Sequence, residues 1–186
     1  MLKSILVIPL VMSLTIGCAR HPGDKDYVTW VRDYDNSMHV RHVEGGLVYD
    51  LQYQPSEYMW MQREGAYDAE AFEKNKAEFE GIHYLTLIIQ SIDHSDFIKA
   101  RSHNEREKQQ NLYYFSYLFQ NDIRLEQGGE VLPCVLFHFE RDVNMNGNRS
   151  FVLGFENKGS GEKEMQLIIQ SELLGATPVK IKVKKY

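Results

Sequence analysis

The run Ile82-His83-Tyr84-Leu85-Thr86-Leu87-Ile88-Ile89-Gln90-Ser91-Ile92 decides the fold class. Side chains alternate along an extended chain, so Ile82, Tyr84, Thr86 and Ile88 fall on one side and Leu85, Leu87 and Ile89 on the other. Apolar residues on both sides predict a central strand buried on both faces. Downstream, Cys134 to Glu140, Arg149 to Glu156, Met165 to Gln170 and Val179 to Lys184 are short runs of strand-like composition. Asn-Gly, Gly-Ser-Gly and Gly-Ala-Thr-Pro turn signals separate them. In the last run Val179, Ile181 and Val183 alternate with Lys180, Lys182 and Lys184, the pattern of a half-buried strand with a charged outer face.

Upstream the signals mix. Asn36 to Tyr53 reads as extended chain around the turn Glu44-Gly45-Gly46. Pro55 suits a first helical turn and Gly65 a terminus, so Ser56 to Glu64 is a helix. Asp68 reads as the cap of a second helix to Glu80, with Phe72 and Phe79 on one face and Gly81 as terminator. Asp93 or Ser95 starts a third, through Phe97-Ile98 into the polar stretch Arg101 to Gln110. Leu112 to Gln120 reads as a second strong strand, with Tyr113, Phe115, Tyr117 and Phe119 on one face. The fold class is therefore α+β, with an antiparallel β-sandwich-like C-terminal half and two to three helices decorating the N-terminal half. No linker divides Asn111 from Val131, so residues 27–186 form a single domain.

Composition narrows the function. The 186 residues are 43% hydrophobic and 25% charged, in the range of folded, water-facing proteins. A net charge of −5 argues against nucleic acid as a partner, because phosphate binding needs a clustered excess of basic side chains. Two cysteines exclude a disulfide framework and a cysteine-rich zinc site.

At the N-terminus, Met1-Leu2-Lys3-Ser4 is a short basic start, and Ile5 to Ile16 is nearly all apolar. That layout is a secretion signal, and its apolar run is too short for a spanning helix. Leu14-Thr15-Ile16-Gly17-Cys18 resembles the lipobox of bacterial lipoproteins, a small residue just before a cysteine. The family usually has Leu three places before the cysteine, where this chain has Thr15 and keeps Leu14 one place further back. The resemblance implies cleavage between Gly17 and Cys18 and a diacylglyceryl group on the Cys18 thiol, with palmitate-type acyl chains. Residues 1–17 are then a signal peptide and residues 18–26 a polar, turn-prone tether. One acyl chain holds a protein marginally, whereas two or three hold it durably. Ala19 after the cysteine resembles lipoproteins passed to the outer membrane, facing periplasm or cell surface.

Catalytic motifs are weak by comparison. Acylation of Cys18 leaves Cys134 alone in an apolar run, where it packs as a small hydrophobe. Asp142, Asn144 and Asn146 match the first half of a calcium loop, but the twelfth position is Leu153 rather than Glu, so the same residues read as a hairpin turn at Asn146-Gly147. His39 and His42 are three apart and point to opposite faces of an extended segment, and Asp93-His94-Ser95-Asp96 fits a helix start. Serine-nucleophile and phosphate-loop motifs are absent, and no metal or cofactor is expected. The aromatic cluster Tyr49, Tyr53, Tyr58, Trp60 and Tyr67 serves either as helix-on-sheet core or as a binding surface.

The reading that results is a lipid-anchored, non-enzymatic protein of the bacterial cell envelope, acting through a protein partner there. Binding of a small ligand, saccharide or peptide through an aromatic surface is the alternative. A hydrolase using His94, His103 or His138 with carboxylates, or an immunity-type lipoprotein that neutralises a toxin, stands behind it.

Overall fold

The structure is a computed structural model that describes residues 23, 25–141, 147–159 and 161–185. Gly17 and Cys18, and the loop residues Asp142, Asn144 and Asn146, lie outside the described residues. Helix α1 (Tyr27–Arg32) and a 3₁₀ turn (Tyr34–Asn36) lead into a hairpin, β1 (His39–Glu44) and β2 (Leu47–Gln54). Gly45 and Gly46 turn it with φ of +60° and +78°, the paired positive angles of a two-residue hairpin loop that side chains resist. Pro55 then positions α2 (Ser56–Glu64), followed by α3 (Ala69–Asn75), α4 (Ala77–Glu80) and β3 (Ile82–Ser91). The crossing that follows is mostly helical: α5 (Phe97–Ala100), α6 (Glu105–Tyr113), a π-helical turn (Tyr114–Leu118) and a 3₁₀ turn (Phe119–Asp122). After it the chain is all β: β4 (Ile123–Gln127), β5 (Glu130–Glu140), β6 (Arg149–Glu156), β7 (Glu164–Ile169) and β8 (Val179–Lys184).

The eight strands form one antiparallel sheet in the order β1-β2-β3-β6-β5-β4-β7-β8. It curls until its edges meet. The Lys184 N–H donates to the Ser37 carbonyl at 2.9 Å, and the Thr177 hydroxyl donates to Glu44 Oε1 at 3.2 Å. Opposite halves of this near-barrel face each other as in a sandwich, and the fold is α+β, with its helices preceding β4 and extending past the middle of the chain. Inward residues such as Leu51, Leu87, Leu153 and Ile181 share one core. The register defines two ends. Tyr27 and Val31 of α1 are fully buried at the end where Ser37 meets Lys184, and the α5–Asp122 crossing closes the end marked by the Gly45-Gly46 turn.

Four expectations need correction. Leu112 to Gln120 is helical rather than a strand. Residues two apart lie on opposite sides of a helix and residues four apart on the same side, so alternating aromatics satisfy a helix by burying only every second one. Here Phe115 and Phe119 bury while Tyr113 and Tyr117 face out. Strand β3 is buried on one face: Leu85, Leu87 and Ile89 are inside, and Ile82, Tyr84, Thr86 and Ile88 are only half-buried on the outer face. The helix from Asp68 breaks at Lys76. The third helix is two, started by Asp96, whose carboxylate accepts the Ile98 N–H, and by Asn104, which accepts the Glu107 N–H. The described α-helices therefore number six rather than two to three.

Candidate functional site

The end closed by the crossing carries the chemistry. Phe115 and Phe119 are buried with their rings edge to face at 5.1 Å, and Phe119 stands edge to face with Phe151 of β6 at the same distance. Their burial turns the intervening residues outward. Tyr113 is 58% exposed, Tyr117 50% and Leu118 44%, and the two tyrosine rings lie 5.1 Å apart. A π turn inside a helical run is an uncommon departure from regular geometry that recurs at functional sites. Three neighbouring large apolar side chains left in water are what a docking ridge looks like.

A groove of about 380 Å³ runs beside the ridge, lined by Gln109, Leu112, Tyr113, Ser116, Tyr117, Arg141 and Arg149. Arg141 Nη2 donates to the Tyr117 hydroxyl at 2.7 Å, which holds the guanidinium 5.6 Å from that ring's centroid. Arg149 is buried and fully engaged. Its Nε and Nη2 grip Asp96 Oδ1 and Oδ2 at 3.1 and 2.7 Å, and Nη1 donates to the Arg141 carbonyl. This two-pronged pair fastens the start of α5 to the start of β6. On the other side of the crossing lies a cleft of about 590 Å³, whose lining includes Tyr114, Asp122, Arg124, Ser171 and Thr177. The Tyr114 hydroxyl bonds to Asp122 Oδ2 and lies 2.5 Å from Ser171 Oγ. Burial, and then the Asp122 carboxylate, push the Tyr114 phenol well above its ordinary pKa. It therefore stays protonated and offers Ser171 no base.

A second polar cluster sits on the outer face of the β1–β2 hairpin. His39 Nδ1 lies 2.6 Å from the Arg32 carbonyl, and Nε2 bonds to Asp50. The same carboxylate accepts from Arg41 Nη2 at 2.8 Å and from the Tyr34 hydroxyl at 2.7 Å, and the Tyr34 ring stacks on His39 at 4.0 Å. Burial opposes a charge on His39, but Asp50 and the Arg32 carbonyl outweigh it and raise its pKa. Burial likewise opposes the Asp50 charge, and His39, Arg41 and Tyr34 overcome it, holding the carboxyl at about 2. With acceptors at both ring nitrogens, His39 is an imidazolium held in place rather than a free acid or base.

The residues singled out from sequence are distributed as follows. Tyr49, Tyr53, Tyr58 and Trp60 are buried, so as a binding surface that cluster is corrected: its rings fill the interior, and only Tyr67 is partly exposed. Tyr58 reaches the main core, whereas Trp60 joins Phe72 and Phe79 in a small separate core between α2, α3 and α4. His39 and His42 do point to opposite faces, and His42 pairs with Glu44 at 3.1 Å. His94, His103 and His138 are exposed and do not converge in one cleft. Cys134 is partly buried against the core, where desolvation raises its thiol pKa. Among the described residues no three His, Cys, Asp or Glu side chains gather as metal ligands would. Sequence reasoning missed Tyr113, Tyr117, Leu118 and Arg141. The signal was available: aromatics at four-residue spacing, continuous with the polar helical stretch before them.

No protein-family model matches the chain. No curated protein matches it either. Among solved structures, a DUF4426 family protein from Pseudomonas aeruginosa PAO1 is similar over 80% of this chain and 95% of that one, at 8% identity and a TM-score of 0.39.

Proposed function

We propose that this is a lipid-anchored protein of the bacterial cell envelope that works by binding a protein partner and not by catalysis. The observation that carries the binding reading is the exposed ridge of Tyr113, Tyr117 and Leu118 beside Arg141. Tyrosine and arginine are enriched where interfaces derive most of their energy. The polar centres elsewhere support the non-catalytic half, because His39, Arg149 and Tyr114 are each held by structural hydrogen bonds. The lipobox-like segment supports the anchor. Eight residues, Ala19 to Asp26, would separate Cys18 from α1 and span at most about 29 Å. α1 lies at the end of the barrel opposite the ridge, so a tether there leaves the ridge turned away from the lipid.

A site-specific photo-crosslinker at Tyr113 in living cells tests the binding reading. A discrete cross-linked species is expected, and it should disappear when Tyr117 and Leu118 are changed to Ser. No such species at any expression level would remove the reading. Labelled palmitate tests the anchor: it should enter the wild-type chain and not Cys18→Ser, and equal labelling would refute lipidation at that position. The polar 590 Å³ cleft favours one second reading, a small hydroxylated ligand held by Asp122, Arg124 and Thr177.

A further inference from the structure

We propose that the 380 Å³ groove receives an acidic segment of the partner protein, with a carboxylate paired to Arg141 and an adjoining apolar side chain seated on Tyr113 and Tyr117. The inference rests on the partner-binding reading and names the chemistry of its occupant. Charge complementarity carries it. Among the described residues, the charged side chains lining the groove are both arginines and no carboxylate lines it. Arg149 is neutralised by Asp96 through two hydrogen bonds, so among the described lining residues Arg141 is the cation left to meet a ligand. The Tyr117 hydroxyl accepts from one Arg141 nitrogen and fixes the guanidinium at the ridge, beside the apolar faces of the two tyrosines. A planar guanidinium fixed in this way suits a carboxylate, which it can meet with two parallel N–H donors. An acidic segment is repelled by the rest of this chain, whose net charge is −5, so the local cation sets its position as well as its affinity. A lipid phosphate would satisfy the same cation, but the groove lies at the barrel end opposite α1, away from the proposed anchor.

The test uses the full chain in non-ionic detergent and fluorescein-labelled synthetic octapeptides, read by fluorescence polarisation. One peptide is rich in Glu around a central Leu, a second replaces every Glu by Gln, and a third replaces them by Lys. The Glu peptide should bind about tenfold more tightly than the Gln peptide, weaken as salt is added, and exceed the Lys peptide further still. Arg141→Gln should bring the Glu and Gln peptides within about twofold of each other without changing the Gln peptide. Tyr113→Ser/Tyr117→Ser should weaken both. Equal binding of Glu and Gln peptides, still lost in the tyrosine variant, would overturn the acidic partner while leaving the ridge as a docking face. Failure of every peptide would also overturn it, and the cross-link at Tyr113 then decides the partner-binding reading separately. Arg141-dependent binding to phosphatidylglycerol vesicles with none to the Glu peptide would assign the groove to lipid phosphate and sink the proposal.

Discussion

Tyr49, Tyr53, Tyr58, Trp60 and Tyr67 fall within one short stretch of chain, and Tyr113, Tyr114, Phe115, Tyr117 and Phe119 within another. Four of the first group's five rings lie along a strand and the helix after it, on faces that look into a core, and are buried, while Tyr67 follows in a loop. The second lies along a helix laid across the barrel's end, so the core takes Phe115 and Phe119 and leaves Tyr113 and Tyr117 in water. Each group holds five aromatic residues, and the second is the denser of the two. What separates core from docking face is how many sides of the element the fold covers: sheet and helix together cover the first, while the crossing is covered on one side only.

The largest expected effects test that division directly. Tyr49→Ala and Phe115→Ala each remove a ring that is about 1% exposed, and each should cost about 3–5 kcal/mol, read as a lower urea midpoint with unchanged slope. A loss below about 1 kcal/mol at either position would mean that the ring is not packed as described. The Asp96–Arg149 pair follows, because it fastens the crossing to the sheet. Asp96→Leu strands a buried guanidinium and should cost about 3 kcal/mol or more, whereas Asp96→Leu combined with Arg149→Met should recover most of that loss. Equal losses in the single and double variants would show that the two groups do not act as a pair.

The third prediction sharpens the comparison through Tyr34, which is 44% exposed yet held by structure, stacked on His39 and bonded to Asp50. Here exposure does not mark a docking face. The folded-state pKa of His39 is raised, so its contribution to stability is complete below the ordinary value near 6.5 and is lost as pH rises through the raised one. The Asp50 carboxyl is depressed to about 2, so its contribution is complete above the ordinary 3.8 and is lost as pH falls from there toward 2. His83 acts in the opposite sense to His39. It is fully buried, and desolvation, only partly offset by its bond to Gln127, lowers its pKa, so stability falls as pH drops below about 6.5. Melting temperatures from pH 2 to 9 should show losses at both extremes. Asp50→Asn should flatten the acid loss and the alkaline one together, and a wild-type alkaline slope in that variant would break the link between Asp50 and His39.

Much of the fold was legible because its signals are local. The Gly45-Gly46 hairpin, the helix from Pro55 to Gly65, the Asp68 cap and the strands Arg149–Glu156 and Val179–Lys184 each follow from neighbouring residues. Leu112 to Gln120 reads either way locally, because alternating aromatics fit one face of a strand while every second one fits one face of a helix, and the phenylalanines' partner Phe151, on the distant strand β6, decides between them. Strand order and closure were not legible, since they rest on contacts such as Ser37 with Lys184. The candidate site was hidden for the same reason. Arg141 meets Tyr117 across 24 positions and Arg149 meets Asp96 across 53, pairings that no local pattern encodes.

The smallest predicted effect is the most discriminating. Tyr113→Ser/Tyr117→Ser removes two large rings, and in a core that would unfold the protein. On the exposed side of the crossing it removes a ring contact and the Arg141–Tyr117 hydrogen bond, both at the surface. Surface bonds of this kind exchange for water at little net cost, so the double variant should lose less than about 1 kcal/mol. It should also keep the wild-type urea slope, because the buried Phe115 and Phe119 still hold the helix to the barrel. Cross-linking through the ridge should vanish in the same protein. A loss of several kcal/mol would place the two tyrosines in the interior after all, and the contrast between the two aromatic stretches would collapse.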